Sequence, residues 1–194
     1  MKLLYIHGLS SSGTSSTAKN LRILLPEASV IAPDLPINPR EALALLSEIG
    51  KNESPDIIIG TSMGGMFAQQ MHGFKKILVN PSFHVSEFMR RNIGIQPFLN
   101  TRQDGAASYE ITDSLCDEYL EVERHQFEGI TTYDRENTYA LFSDKDERVD
   151  CSREYLTFYE KQSRFPGNHR LTFDDVQKVV LPHINLILKS EVKE

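Results

Sequence analysis

The chain has 194 residues, of which 40% are hydrophobic and 25% charged, and its formal net charge is −6. That length fits one domain able to bury about 70% of the surface its unfolded chain exposes. The acidic balance speaks against the basic stripe of a nucleic-acid binder and the polybasic anchor of a membrane-surface protein. The apolar run at 3–6 is too short for a signal-peptide core, and no stretch approaches the roughly 18 apolar residues of a membrane span. Two cysteines, Cys116 and Cys151, suit a reducing cytoplasm with free thiols.

The first expected strand is residues 3–6, ending in His7-Gly8. A helix follows at 15–25, with Ala18, Leu21, Leu24 and Leu25 on one side, and Pro26 stops it. Residues 30–32 form a second strand. Asn38 then caps a helix at 38–49, with Pro39 in its first turn and Gly50 expected to end it. Strands at 57–59 and 77–79 flank another helical pattern that includes Met66, Phe67, Gln70 and Met71. Residues 84–135 interrupt the alternation. They hold a helix with Leu115, Tyr119 and Val122 inward and Asp117, Glu118, Glu121 and Glu123 on an expected solvated face. A strand at 139–142, a weaker one before Pro166 and a final helix kinked at Pro182 complete the chain. The strands are short and continuously apolar, as in a parallel sheet covered on both faces. The expectation is one α/β domain over 1–194: a mostly parallel central sheet of about six strands, helices on both faces, and a short helical insert at 84–135.

Residues 57–66 read IIIGTSMGGM. A buried strand runs into G-x-S-x-G and a helix follows, which is the context that gives this motif its meaning. The serine must stand on a turn so sharp that neighbouring side chains would collide, hence the flanking glycines. A chain of this composition would show the pattern by chance about 0.05 times. Ser62 is therefore the candidate nucleophile. It needs a base, and the base needs an orienting acid, in the chain order Ser, Asp or Glu, His. His169, in a Gly/Pro/Asn loop before the last helix, is the candidate base. Asp146, a turn beyond the 139–142 strand, is the preferred acid, with Asp144 as the alternative.

Residues 8–15, GLSSSGTS, differ by one residue from the phosphate-binding G-x-x-x-x-G-K-[ST]. Thr14 stands where the lysine would contact phosphates, so a nucleotide-binding protein is a weaker alternative. A second alternative is a hydrolase-like protein that binds without catalysis. No metal-ligand spacing of the HExxH type is present.

Taken together, His7-Gly8 after the first strand, the turn around Ser62, LVNPS at 78–82, KDERVD at 145–150 and GNH at 167–169 resemble the α/β-hydrolase superfamily. The resemblance is to its small, bacterial YqiA-like esterases. It implies esterase or thioesterase activity on a small acyl substrate, without a cofactor or metal. It also implies Asp146 as the triad acid and the backbone amides of Leu9 and Met63 as an oxyanion hole. His7, Ser10, Phe83 and His84 are the expected substrate contacts. Phe88, Met89, Phe98 and Leu99 are further candidates for an apolar acyl pocket.

Overall fold

The computed structural model describes residues 1–189. In chain order the elements are β1 (Lys2–Ile6), α1 (Ser16–Leu24), β2 (Ser29–Ile31), α2 (Pro39–Glu53), β3 (Ile57–Thr61), α3 (Met63–Gln69), β4 (Lys76–Val79), α4 (Val85–Arg90), β5 (Gly94–Pro97), β6 (Ser108–Ile111), α5 (Asp113–His125), α6 (Thr132–Asn137), β7 (Thr138–Ser143), α7 (Ser152–Tyr155), β8 (Gln162–Phe165), α8 (Phe173–Asp175), a π-helical stretch Val176–Val180, and α9 (Leu181–Lys189). A six-stranded sheet has the order β2-β1-β3-β4-β7-β8. Every neighbouring pair in it is parallel.

The strands alternate between two cores. Leu4, Ile6, Ile58, Leu78, Ala140 and Phe142 join residues of α2, α3 and α5 on one face. Leu3, Tyr5, Ile57, Ile59, Ile77, Val79 and Leu141 join α1 and the C-terminal helices on the other. Both faces are covered, which is why the strands read as unbroken apolar runs. Each fully buried large apolar side chain contributes about 1.5–3 kcal/mol.

Four details differ from the sequence reading. Helix α2 passes through Gly50 and ends on Ser54, whose φ of 46° is left-handed. Gly50 is a contact point instead: a Cβ there would meet Met71 Cε at 3.1 Å and Phe74 Cζ at 3.2 Å. Ahead of Pro182 the helix widens into the π-helical stretch Val176–Val180, which accommodates a residue that lacks an N–H and would crowd the preceding turn. The insert holds, besides helices, an antiparallel hairpin pairing Gly94 with Ile111 and Pro97 with Ser108. Glu123 lies inside, accepting hydrogen bonds from Ser86 N–H at 2.6 Å and Ser86 Oγ at 2.5 Å. Burial raises its carboxyl pKa, against the Ser86 bonds, which lower it. The bond pins α4 to α5. Among the described residues, no helix is long and apolar enough to cross a membrane.

From β1 the chain crosses to β2 on one side, then returns to β3 on the other. The carboxyl ends of β1 and β3 therefore border the crevice where an open α/β sheet takes its ligands.

Candidate active site

Ser62 follows β3 directly, with φ 55° and ψ −123°. A non-glycine residue in that region is strained and persists only where its surroundings over-determine it. Here they do. Ser62 N–H donates to Val79 O at 3.0 Å, and Ser62 O accepts from Gly65 N–H at 2.8 Å and Ser82 N–H at 3.1 Å. The flanking glycines have no room for a side chain: a Cβ on Gly60 would stand 2.2 Å from Gly64 O, and one on Gly64 would stand 2.1 Å from Ile6 O. These contacts hold α3, β1 and β3 close enough to lift the Ser62 side chain above the sheet.

His169 lies in the loop between β8 and α8, and Asp146 in the loop after β7. His169 Nδ1 is 2.6 Å from Asp146 Oδ2, and His169 Nε2 is 3.0 Å from Ser62 Oγ. The Asp146 side chain is 2% exposed and that of His169 15%. The other Asp146 oxygen accepts from Arg148 N–H at 2.8 Å and Val149 N–H at 3.0 Å. A carboxylate so surrounded accepts the Nδ1 proton, which leaves Nε2 free to accept from the Ser62 hydroxyl. Asp144 is outside the relay: its side chain is 51% exposed and faces Arg164 at 3.9 Å.

The relay opens into a cleft of about 530 Å³, lined among others by Leu9, Ser10, Met63, His84, Phe88, Leu99 and Cys151. Met63 follows Ser62 in the chain, and Leu9 lines the same cleft. Gly8 packs so closely that a Cβ on it would be 3.2 Å from Ser62 Cβ. Met63 opens a helix, where first-turn amides have no partner within the helix. Ser10 has φ 61°, and its hydroxyl pairs with Tyr109 OH at 2.6 Å. His84 sits at the edge with Nε2 2.7 Å from Glu154 Oε2.

Two expected substrate contacts are not in the cleft. His7 is buried and serves the loop: Nδ1–H donates to Gly8 O at 2.8 Å, and Nε2 accepts from Leu35 N–H at 3.1 Å. Burial pushes its pKa down to about 4, against the Gly8 bond and Asp34, which raise it. Phe83 is fully buried and meets Phe127 edge-on at 5.0 Å between centroids. Of the other acyl-pocket candidates, Phe88 and Leu99 line the cleft, whereas Met89 lies in the core and Phe98 packs on Tyr109 at 4.9 Å. Tyr109 escaped the sequence reading, which took Cys151 only as a free thiol. Tyr109 had a signal, the alternation of SYEI on β6, but its partner Ser10 is 99 positions away. Burial raises the Cys151 thiol to about 11, which disfavours the thiolate a nucleophile needs.

The 8–15 loop does not form a phosphate cradle. Ser11 N–H bonds Gly8 O and Ser15 N–H bonds Ser12 O. Thr14 N–H bonds Ser12 Oγ, and Gly13 N–H bonds Asp34 Oδ1 at 2.7 Å. The amides of Ser11, Gly13, Thr14 and Ser15 are thus engaged within the protein, and the Asp34 carboxylate stands where an anion would sit. Leu99 N–H to Ser10 O and Ser12 Oγ to Thr101 O tie the loop to the insert. Among the described residues, no group of three or more His, Cys, Asp or Glu side chains could hold a metal ion.

Solved α/β-hydrolase structures share this architecture. The esterase domain of a Rhodothermus marinus protein is 17% identical, with a TM-score of 0.67 over 97% of this chain and 86% of that one. Mouse alpha/beta hydrolase domain-containing protein 10 is 14% identical, with a TM-score of 0.64 over 97% and 90%. Est1E from Butyrivibrio proteoclasticus is 15% identical, with a TM-score of 0.62 over 97% and 88%. At these identities the likeness is one of fold. The chain's fold is that of the α/β-hydrolases, and the model of the uncharacterised protein family UPF0227 matches residues 2–187, so the chain belongs to that family.

Proposed function

We propose that the protein is a serine hydrolase that cleaves carboxylic ester or thioester bonds of a small acyl substrate through an acyl-enzyme. The observation that carries this reading is the continuous hydrogen-bonded chain from Ser62 Oγ through His169 to buried Asp146, opening into a cleft. The fold neighbours named as esterases support the same class.

In this reading His169 Nε2 takes the Ser62 proton as Oγ attacks the carbonyl carbon, and Asp146 holds the resulting imidazolium. The amides of Leu9 and Met63 donate to the tetrahedral oxyanion, each worth about 3 kcal/mol in the transition state. His169 then returns the proton to the leaving oxygen or sulfur. Water repeats the sequence to release the acid. Phe88 and Leu99 offer the acyl chain an apolar wall.

The test is Ser62→Ala on a panel of p-nitrophenyl acyl esters, with a fluorophosphonate probe run beside it. The expected result is a loss of at least about 10³-fold in kcat and no labelling of the variant. Activity surviving within a few-fold removes Ser62 from the mechanism. A folded wild-type protein that resists the probe points to a binding protein.

A further inference from the structure

The stretch LVNPS at 78–82 gives no side chain to the relay, yet its asparagine is built with care. Asn80 follows β4 and is 1% exposed. Its φ is 44°, a region that asparagine tolerates better than other residues with a side chain beyond Cα. Its N–H donates to Leu141 O at 2.8 Å, which extends the β4–β7 pairing. The left-handed turn then sends the carboxamide across the carboxyl ends of β7 and β8. Oδ1 accepts from Ser143 N–H at 2.7 Å, and Nδ2 donates to Asn168 O at 3.3 Å and His169 O at 3.2 Å.

One side chain thus bonds the residue from which the Asp146 loop departs and the backbone of His169 itself. The preceding residue completes the set, since Val79 O receives the Ser62 N–H. Apart from the Asp146–His169 side-chain bond, the backbone ties between the two loops stop short. Asp144 N–H bonds Phe165 O and Lys145 N–H bonds Gly167 O, which leaves residues 168 and 169 beyond their reach. Among the described residues, the hydrogen bonds that hold the 168 and 169 carbonyls come from Asn80.

We propose that Asn80 is a positioning residue that holds the His169 backbone where Nε2 meets Ser62 Oγ and Nδ1 meets Asp146. Its catalytic meaning rests on the serine-hydrolase reading, but its geometric content does not. A shift of about 1 Å in a base can cost about 100-fold in rate, so a bond to the carbonyl of the base is a sensitive place.

Two variants test it. Asn80→Asp keeps the size, tolerates the same φ and retains an acceptor for Ser143 N–H, but turns an oxygen toward two carbonyls. Asn80→Gly accepts the φ freely and removes all three side-chain bonds. Each is compared with wild type for melting temperature, for kcat and KM well below melting, and for rate of fluorophosphonate labelling. The deciding readout is the downfield proton resonance of the His169–Asp146 hydrogen bond, assigned by its loss in Asp146→Asn. Expected are folded variants with kcat down about 10- to 100-fold, KM within about threefold, labelling slowed in parallel and the resonance shifted or broadened. A folded variant with an unmoved resonance overturns the inference whatever happens to the rate. If wild type itself does not label, the hydrolase reading falls, and the resonance still decides whether Asn80 places His169. Should Asn80→Gly fail to fold, the isosteric Asn80→Asp carries the comparison.

Discussion

Asp144 and Asp146 are two residues apart in one loop and live in opposite surroundings. One faces solvent and an arginine; the other is buried against an imidazole and two backbone amides. Substituting each with asparagine should separate them. Asp146→Asn favours the wrong His169 tautomer and should lower kcat by about 10⁴-fold with the fold intact. Asp144→Asn should leave kcat within about twofold. Ester hydrolysis by the two purified variants checks both, and an equal loss in the two would break the assignment. The sequence pointed to Asp146 through strand ends, loop chemistry and chain order, and the structure sets that residue against His169. The sequence did not make Glu123 readable. A helix wheel puts it at the flank of the apolar face, beside buried Cys116 and Tyr119, but its charge suggested solvent, and the partner that lets it stay inside, Ser86, comes from another helix.

Among elements, the strands of the large sheet were legible because each carries its own pattern. The hairpin of β5 and β6 was not. Its strands are short, β5 ends in Pro97, and Ile95 is 76% exposed, so neither strand announces a partner. The loop from β1 to α1 shows the same limit: His7 looked like a substrate contact, yet burial made it a brace for Gly8 and Leu35. That brace has a pH dependence. Its pKa falls from 6.5 in an unfolded chain to about 4 in the folded protein, so the folded state favours the neutral ring. The resulting stability is complete above the unfolded value, declines as pH falls from about 6.5 toward about 4, and is gone below; it amounts to about 3 kcal/mol. Denaturant unfolding followed between pH 7 and 4 should show a steeper loss in wild type than in His7→Asn. Equal slopes would mean that His7 does not stay neutral.

At the scale of the molecule, stability and chemistry sit at opposite ends of the sheet. At the amino end of β4, fully buried Lys76 meets fully buried Asp134 at 2.7 Å. Asp134 also accepts from Gly73 N–H, Thr131 and His72. Burial alone would raise the Asp134 pKa, but the bonds from Lys76 and Thr131 outweigh it and hold the carboxyl well below the usual range. Asp134→Asn leaves the lysine buried without its counter-charge and should cost about 3 kcal/mol, or about 10 °C in Tm. With the site at the far end, kcat below melting should stay within about twofold. Calorimetry and ester hydrolysis on one preparation check this, and a kcat loss without a Tm loss would contradict it. The strand order has a consequence for biosynthesis. Ser62 and His169 are 107 positions apart, and His169 follows β8, an edge strand and the last strand among the described residues. A chain arrested before β8 can already hold its serine turn and most of both cores, yet it lacks His169. Under the proposed function, a nascent chain therefore carries Ser62 unarmed until His169 has been added.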